Sequence, residues 1–130
     1  MNVKIGTAPD SWGIWFPDDP QQVPWQRFLD EVAEAGYQWV ELGPPGYLPT
    51  DLPTLRAELD RRGLKVSSAV VHGHFEEPSA WPELQAQLMA VGERLAGLEA
   101  KYLVLIPAPF DKPLPIAKRT RTYLHEIGLG

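Results

Sequence analysis

Lys65-Val66-Ser67-Ser68-Ala69-Val70-Val71 and Tyr102-Leu103-Val104-Leu105-Ile106 decide the fold of this chain. Both are nearly continuous, β-branched-rich apolar runs, the pattern of parallel strands buried on both faces. Two shorter runs, Val3–Thr7 and Gln38–Leu42, precede them. Helical spacing fills the gaps. Trp25, Phe28, Leu29 and Val32 fall on one helix face, and Gly36 stops that helix. Leu52, Leu55 and Leu59 mark a second helix, with Thr50 or Asp51 as N-cap and Gly63 as its stop. Leu84, Leu88, Val91, Leu95 and Leu98 mark a third, expected to start at Ser79 with Pro82 in its first turn. Ile116, Thr120, Tyr123, Leu124 and Ile127 mark a fourth, reached through an extended, proline-rich connection over Pro107–Pro115. The order β-α-β-α-β-α-β-α predicts an α/β fold with a parallel sheet and right-handed crossovers.

Four βα units suit two architectures. One is a small open, doubly wound sheet. The other is half of a (β/α)8 barrel, whose full form needs about 200–250 residues or more. The 130 residues favour the open sheet by length. The long, aromatic loops after the strands favour the barrel.

Composition narrows the function. The chain has 17 Asp plus Glu against 12 Lys plus Arg, a formal net charge of −5 and a pI near 5.1. A nucleic-acid binder held by counterion release needs a basic face, so that class is excluded. Lys112, Lys118, Arg119 and Arg121 form a short basic cluster that reads as a solvated helix face. No apolar run reaches the ~18 residues of a membrane span, and Met1–Gly6 lacks a signal-peptide core. There are no cysteines, which removes disulfides, thiolate metal sites and cysteine nucleophiles and agrees with a cytoplasmic protein.

In parallel α/β folds, ligand groups come from the loops after the strands' C-terminal ends. The first loop holds Asp10, Ser11, Trp12, Trp15 and Phe16; the second Tyr47; the third His72, His74, Glu76 and Glu77; the fourth opens Pro107-Ala108-Pro109-Phe110. Aromatic walls with a few polar groups suit a small molecule such as a sugar. Asp10 is a ligand group or a turn cap. Trp12 and Trp15 stack on ligand or plug the mouth of the sheet. Glu41, one residue from the end of an apolar strand, lines a polar site or is a buried acceptor. His72 and His74 are two residues apart, so on a strand they point to one side; with Glu76 or Glu77 they have the donor types for Zn²⁺ or Mn²⁺. His72 alone serves equally as a hydrogen-bond donor or a packed residue. There is no Gly-x-Gly-x-x-Gly after the first strand, no Walker loop and no Gly-x-Ser-x-Gly elbow.

Ile5-Gly6-Thr7-Ala8-Pro9-Asp10-Ser11-Trp12-Gly13-Ile14-Trp15-Phe16 resembles the opening of the sugar phosphate isomerase/epimerase family, and more narrowly its inosose dehydratase branch. Val40-Glu41-Leu42-Gly43-Pro44-Pro45-Gly46-Tyr47-Leu48-Pro49 and the step Arg62-Gly63-Leu64 are similar to the same branch. The resemblance implies a xylose-isomerase-like (β/α)8 barrel, with residues 1–130 as the N-terminal half of that single domain. It implies a divalent ion, Mn²⁺ or Co²⁺, and a polyol, ketose or inosose substrate that reacts through a metal-stabilised enediolate. The family's metal ligands belong to the second half of the barrel, so this chain alone is expected to be inactive. It contributes a substrate wall made by Asp10, Trp12, Trp15, Glu41, Tyr47 and His72. The alternative is a non-catalytic α/β module that binds a sugar or pairs with another subunit. Open strand edges predict a homodimer or edge-to-edge association.

Overall fold

The computed structural model describes residues 1–108 and 113–129, with the backbone alone at 113, 114 and 116. Pro109 and Phe110 of the expected fourth loop, and Lys112 of the basic cluster, lie outside the described residues, as does the side chain of Ile116. The strands are β1 (Gly6–Thr7), β2 (Trp39–Glu41), β3 (Lys65–Gly73) and β4 (Tyr102–Pro107). The helices are α1 (Trp25–Glu34), α2 (Leu52–Asp60), α3 (Trp81–Gly97) and α4 (Pro113–Glu126). Among the described residues, no helix is long and apolar enough to cross a membrane.

The four strands form one parallel sheet in the order β1-β2-β3-β4. A doubly wound sheet reverses its strand order partway. This one does not, so the open-sheet alternative is set aside. The chain winds in one direction, as half of a (β/α)8 barrel does. Phe28, Leu29 and Val32 of α1, Leu55 and Leu59 of α2, and Leu84, Leu88, Val91 and Leu95 of α3 join Val40, Val66, Ala69 and Val71 in one buried cluster. Each such side chain taken fully out of water stabilises by about 1.5–3 kcal/mol. That gain holds the helices on one face of the sheet.

The expectation that β3 and β4 are buried on both faces is corrected. On β4, Leu103 and Leu105 pack against the core, while Tyr102, Val104 and Ile106 remain 71%, 42% and 38% exposed. The apolar runs therefore serve two surfaces, the helix-covered core and an uncovered concave face. The first strand is also shorter than Val3–Thr7, because β1 is an edge and only Gly6 and Thr7 register with β2.

Local signals set the helix ends. Asp51, not Thr50, caps α2, accepting at Oδ2 from Thr54 N at 2.9 Å and Thr54 Oγ1 at 2.6 Å. Gly63 follows α2 with φ +67°, a left-handed conformation that a residue with a Cβ resists. Ser79 does not cap α3. It lies in a 3-10 turn, Pro78–Ala80, and donates to Glu77 Oε1 at 3.1 Å, so the α-helix starts at Trp81. α4 begins at Pro113 and takes up the end of the expected extended connection. Prolines in a first helical turn lose no intrahelical bond.

Candidate functional site

The site is built on the uncovered face. Directly paired residues of parallel strands share a face, so the register defines its rows. Gly6, Trp39 and Lys65 form one row; Glu41, Ser68 and Tyr102 the next; Val70 and Val104, then His72 and Ile106, follow. Gly6 is needed in the first row, where a Cβ would come within 2.9 Å of the Trp39 carbonyl oxygen. The Lys65 ammonium lies 5.9 Å from the Trp39 ring centroid, over the ring. A concavity of about 850 Å³ spans the first two rows, with Trp39 and Tyr102 as aromatic walls and Ser11, Glu41, Ser67 and Ser68 as polar lining, and it runs on to the charged Lys4, Glu99 and Lys101 just before the strands.

A register shift aims the polar groups. Val40 pairs with Val66 but Glu41 pairs with Ser68, so Ser67 is an extra residue, a β-bulge. The bulge brings two consecutive hydroxyls together, Ser67 Oγ lying 3.3 Å from Ser68 Oγ. Ser67 Oγ donates to the Val40 carbonyl at 3.4 Å, and Ser68 Oγ donates to Glu41 Oε2 at 3.3 Å. Burial pushes the Glu41 carboxyl above the usual carboxylate range. The Ser68 hydroxyl opposes that shift and the nearby Asp10 charge adds to it. A carboxyl that keeps its proton to higher pH is suited to acid–base work.

The structure gathers some of the candidate residues and separates others. Asp10 sits in a 3-10 turn, Pro9–Trp12, close enough to Glu41 for its charge to be felt, and its side chain does not cap that turn. His72 shares the concave face but stands four residues along β3 from Ser68, about 13 Å at strand rise. Trp12 points into the helix layer. Its Nε1 donates to Glu31 Oε2 at 2.7 Å and its ring meets Phe28 edge-on with centroids 5.1 Å apart. Tyr47 is buried there too, donating to the Val23 carbonyl at 2.8 Å; burial, with the Glu31 charge adding, pushes its hydroxyl up to about 12. Trp15 is 65% exposed on the first loop, while Ile14 beside it is buried in the core cluster. Sequence reasoning missed Trp39, Ser67, Ser68 and Tyr102. Trp39 was within reach, being two residues before Glu41 and so on the same face. The serine pair inside an apolar strand was a signal for the bulge.

A divalent ion needs several donors around one point. His74 Nδ1 lies 2.9 Å from Glu76 Oε1 on an exposed loop. Among the described residues, no three His, Asp or Glu side chains come together to hold an ion. His74 and Glu76 form a pair that no third donor, His72 included, joins, so the described residues by themselves do not fit the ion.

A singly wound parallel sheet with helices on one side and an uncovered face on the other defines a half-barrel α/β domain. No family profile matches the chain. Individual proteins do. An inosose dehydratase of Lacticaseibacillus casei is 30% identical over 106 residues, 81% of this chain and 35% of that protein. An inosose dehydratase of Mesomycoplasma hyopneumoniae (strain 7448) is 35% identical over 78 residues, 57% of this chain and 24% of that protein. The rhizopine catabolism protein MocC of Rhizobium meliloti is 29% identical over 126 residues, 93% of this chain and 38% of that protein. The chain is thus similar to the inosose dehydratase-like branch of the xylose-isomerase-like barrels, over part of that branch's length. It spans about a third of the length of the curated relatives it matches.

Proposed function

We propose that this chain forms the wall of a polyol- or inosose-binding site in an inosose dehydratase-like protein, and that Glu41 exchanges a proton with the bound molecule. The observation that carries this reading is the place of Glu41. It is half-buried at the C-terminal end of β2, where barrel enzymes keep their chemistry, and it opens into the concavity beside Ser68. The sequence similarity to inosose dehydratases supports the substrate class.

The chemistry follows from the carboxyl. Removing a proton from carbon next to a carbonyl gives an enediolate, and loss of a neighbouring hydroxyl as water needs a proton delivered to it. Glu41, protonated, can deliver that proton; ionised, it can accept one. The hydroxyls of Ser11, Ser67 and Ser68 line the concavity and would hold substrate hydroxyls, while Trp39 and Tyr102 would cover the apolar face of the ring.

The test is calorimetric binding of an inosose to the chain and to Glu41→Gln, followed by mass analysis of the incubated ligand. Binding weakened about tenfold in Glu41→Gln, the loss of a charge-assisted hydrogen bond, is the expected result. Unchanged affinity would remove Glu41 from the site. A product lighter by one water would show turnover by this chain. A second reading, a non-catalytic module that binds a sugar or pairs with another subunit, is favoured by the exposed apolar row Tyr102, Val104 and Ile106. Inosose binding without water loss would support it.

A further inference from the structure

We propose that Ser67 and Ser68 of the β3 bulge form a two-hydroxyl relay that positions the Glu41 proton, so that the network is complete only while Glu41 is protonated. The inference rests on the reading of Glu41 as a proton carrier and deepens it.

Three oxygen–oxygen contacts run in series: Glu41 Oε2 to Ser68 Oγ at 3.3 Å, Ser68 Oγ to Ser67 Oγ at 3.3 Å, and Ser67 Oγ to Val40 O at 3.4 Å. A serine hydroxyl has one proton to donate and lone pairs to accept. With Glu41 ionised, the two hydroxyls supply two protons for three contacts. Ser68 donates to Glu41 and Ser67 to Val40, and the Ser67–Ser68 contact is left with lone pairs facing each other. With Glu41 protonated there are three protons for three contacts. Glu41 then donates to Ser68, Ser68 to Ser67, and Ser67 to the Val40 carbonyl. When the Glu41 O–H bond breaks and its proton passes to a ligand oxygen, the electron pair stays on the carboxylate. The Ser68 hydroxyl then turns back to donate to it. Ser68 alone steadies the carboxylate; with Ser67 behind it, the count favours the acid.

The bulge is what makes this possible. In a regular strand Ser67 and Ser68 would point to opposite faces. The inserted residue puts both hydroxyls beside the end of β2. Asp10, in the turn after β1, raises the proton affinity of Glu41. Lys4, Tyr37, Glu99, Lys101 and Tyr102 line the same concavity, and Lys65 lies one row below the serines, over Trp39.

The test is an NMR titration of the Glu41 side-chain carboxyl in the full chain without ligand, in wild type, Ser67→Ala and Ser67→Thr. Ser67 Oγ bonds to the Val40 carbonyl and Ser68 rather than to Glu41, so an ordinary pairwise hydrogen bond predicts no change in Ser67→Ala. The relay predicts that the Glu41 midpoint falls by on the order of half a unit to one unit, and that Ser67→Thr restores it. A midpoint unchanged or raised in Ser67→Ala would overturn the relay. If Ser67→Ala does not fold, Ser67→Cys keeps the side chain while weakening its hydrogen bonds, and the same fall is required of it. The titration reads the network with no ligand present, whereas inosose affinity reads the proton-carrier role. The two can therefore fail separately.

Discussion

The indole Nε1 of Trp12 donates to Glu31 Oε2 at 2.7 Å and ties the loop after β1 to α1. Arg27 Nε holds the other carboxylate oxygen of Glu31 at 2.7 Å, so the acceptor is fixed from both sides. Trp12 therefore belongs to the helix layer. Trp12→Ala is expected to lower unfolding stability by about 2–3 kcal/mol through lost packing on Phe28, read by urea unfolding. Inosose affinity is expected to stay the same. A selective loss of binding without loss of stability would return Trp12 to the ligand site.

Tyr47 behaves as an interior residue with one polar bond. Its hydroxyl, pushed up to about 12, favours the neutral form in the folded state over the unfolded state. The sign follows: the contribution is complete below the ordinary tyrosine value and is lost as pH rises toward 12. Ultraviolet titration is expected to show a tyrosine step near 12 that Tyr47→Phe removes. Tyr47→Phe also leaves the Val23 carbonyl without its donor, a cost of about 1 kcal/mol.

Glu41 is expected to trade stability for function. Its carboxyl is raised, so the folded state binds a proton more tightly than the unfolded chain does. That contribution is complete below the ordinary glutamate value and is lost as pH rises through the raised one. At neutral pH the buried charge is a cost. Glu41→Gln should raise the thermal midpoint at pH 7 while weakening inosose binding, and the gain should vanish in acid. A lower midpoint at pH 7 would mean that Glu41 is a structural acceptor.

Edge strands β1 and β4 each pair on one side only among the described residues. Exposed Val3 and Ile5 flank one edge, and Tyr102, Val104 and Ile106 lie along the other. Unpaired edges with apolar neighbours associate. Light scattering of the purified chain is expected to show a dimer or larger species, shifted toward monomer by Val104→Lys. A monodisperse wild-type monomer would contradict this.

Mn²⁺ titrated into the chain is expected to bind wild type no more tightly than His72→Ala. Among the described residues, no third donor joins the His74–Glu76 pair. Tight stoichiometric binding that disappears in His72→Ala would show that the histidine pair builds an ion site after all.

Much of the fold was legible because it depends on short-range pattern. Phe28, Leu29 and Val32 turn a helix toward a core by their spacing alone, and Asp51 caps α2 with a side chain three residues from the group it binds. Glu41 stood out because a carboxylate in an apolar strand demands a reason. The resemblance in the Ile5–Phe16 stretch pointed to the branch that the relatives also indicate. Other features were beyond sequence. An apolar run such as Tyr102–Ile106 looks the same whether one face or two are covered, because coverage depends on what packs from elsewhere in the chain. Trp12 and Tyr47 looked like ligand walls because they lie in loops near the first blocks of resemblance. Only the packing of those loops on Phe28 shows that their polar atoms are already committed.

The sequence by itself determined the alternation of strands and helices, the helix ends and the carboxyl at the end of β2. These follow from periodicity and from side chains acting on their near neighbours. The tertiary structure alone decided the strand order, the uncovered face and the bulge at Ser67. Each of these is a relation between strands some 27 or more residues apart, such as Glu41 with Ser68, and pairing register is set by the packed sheet as a whole.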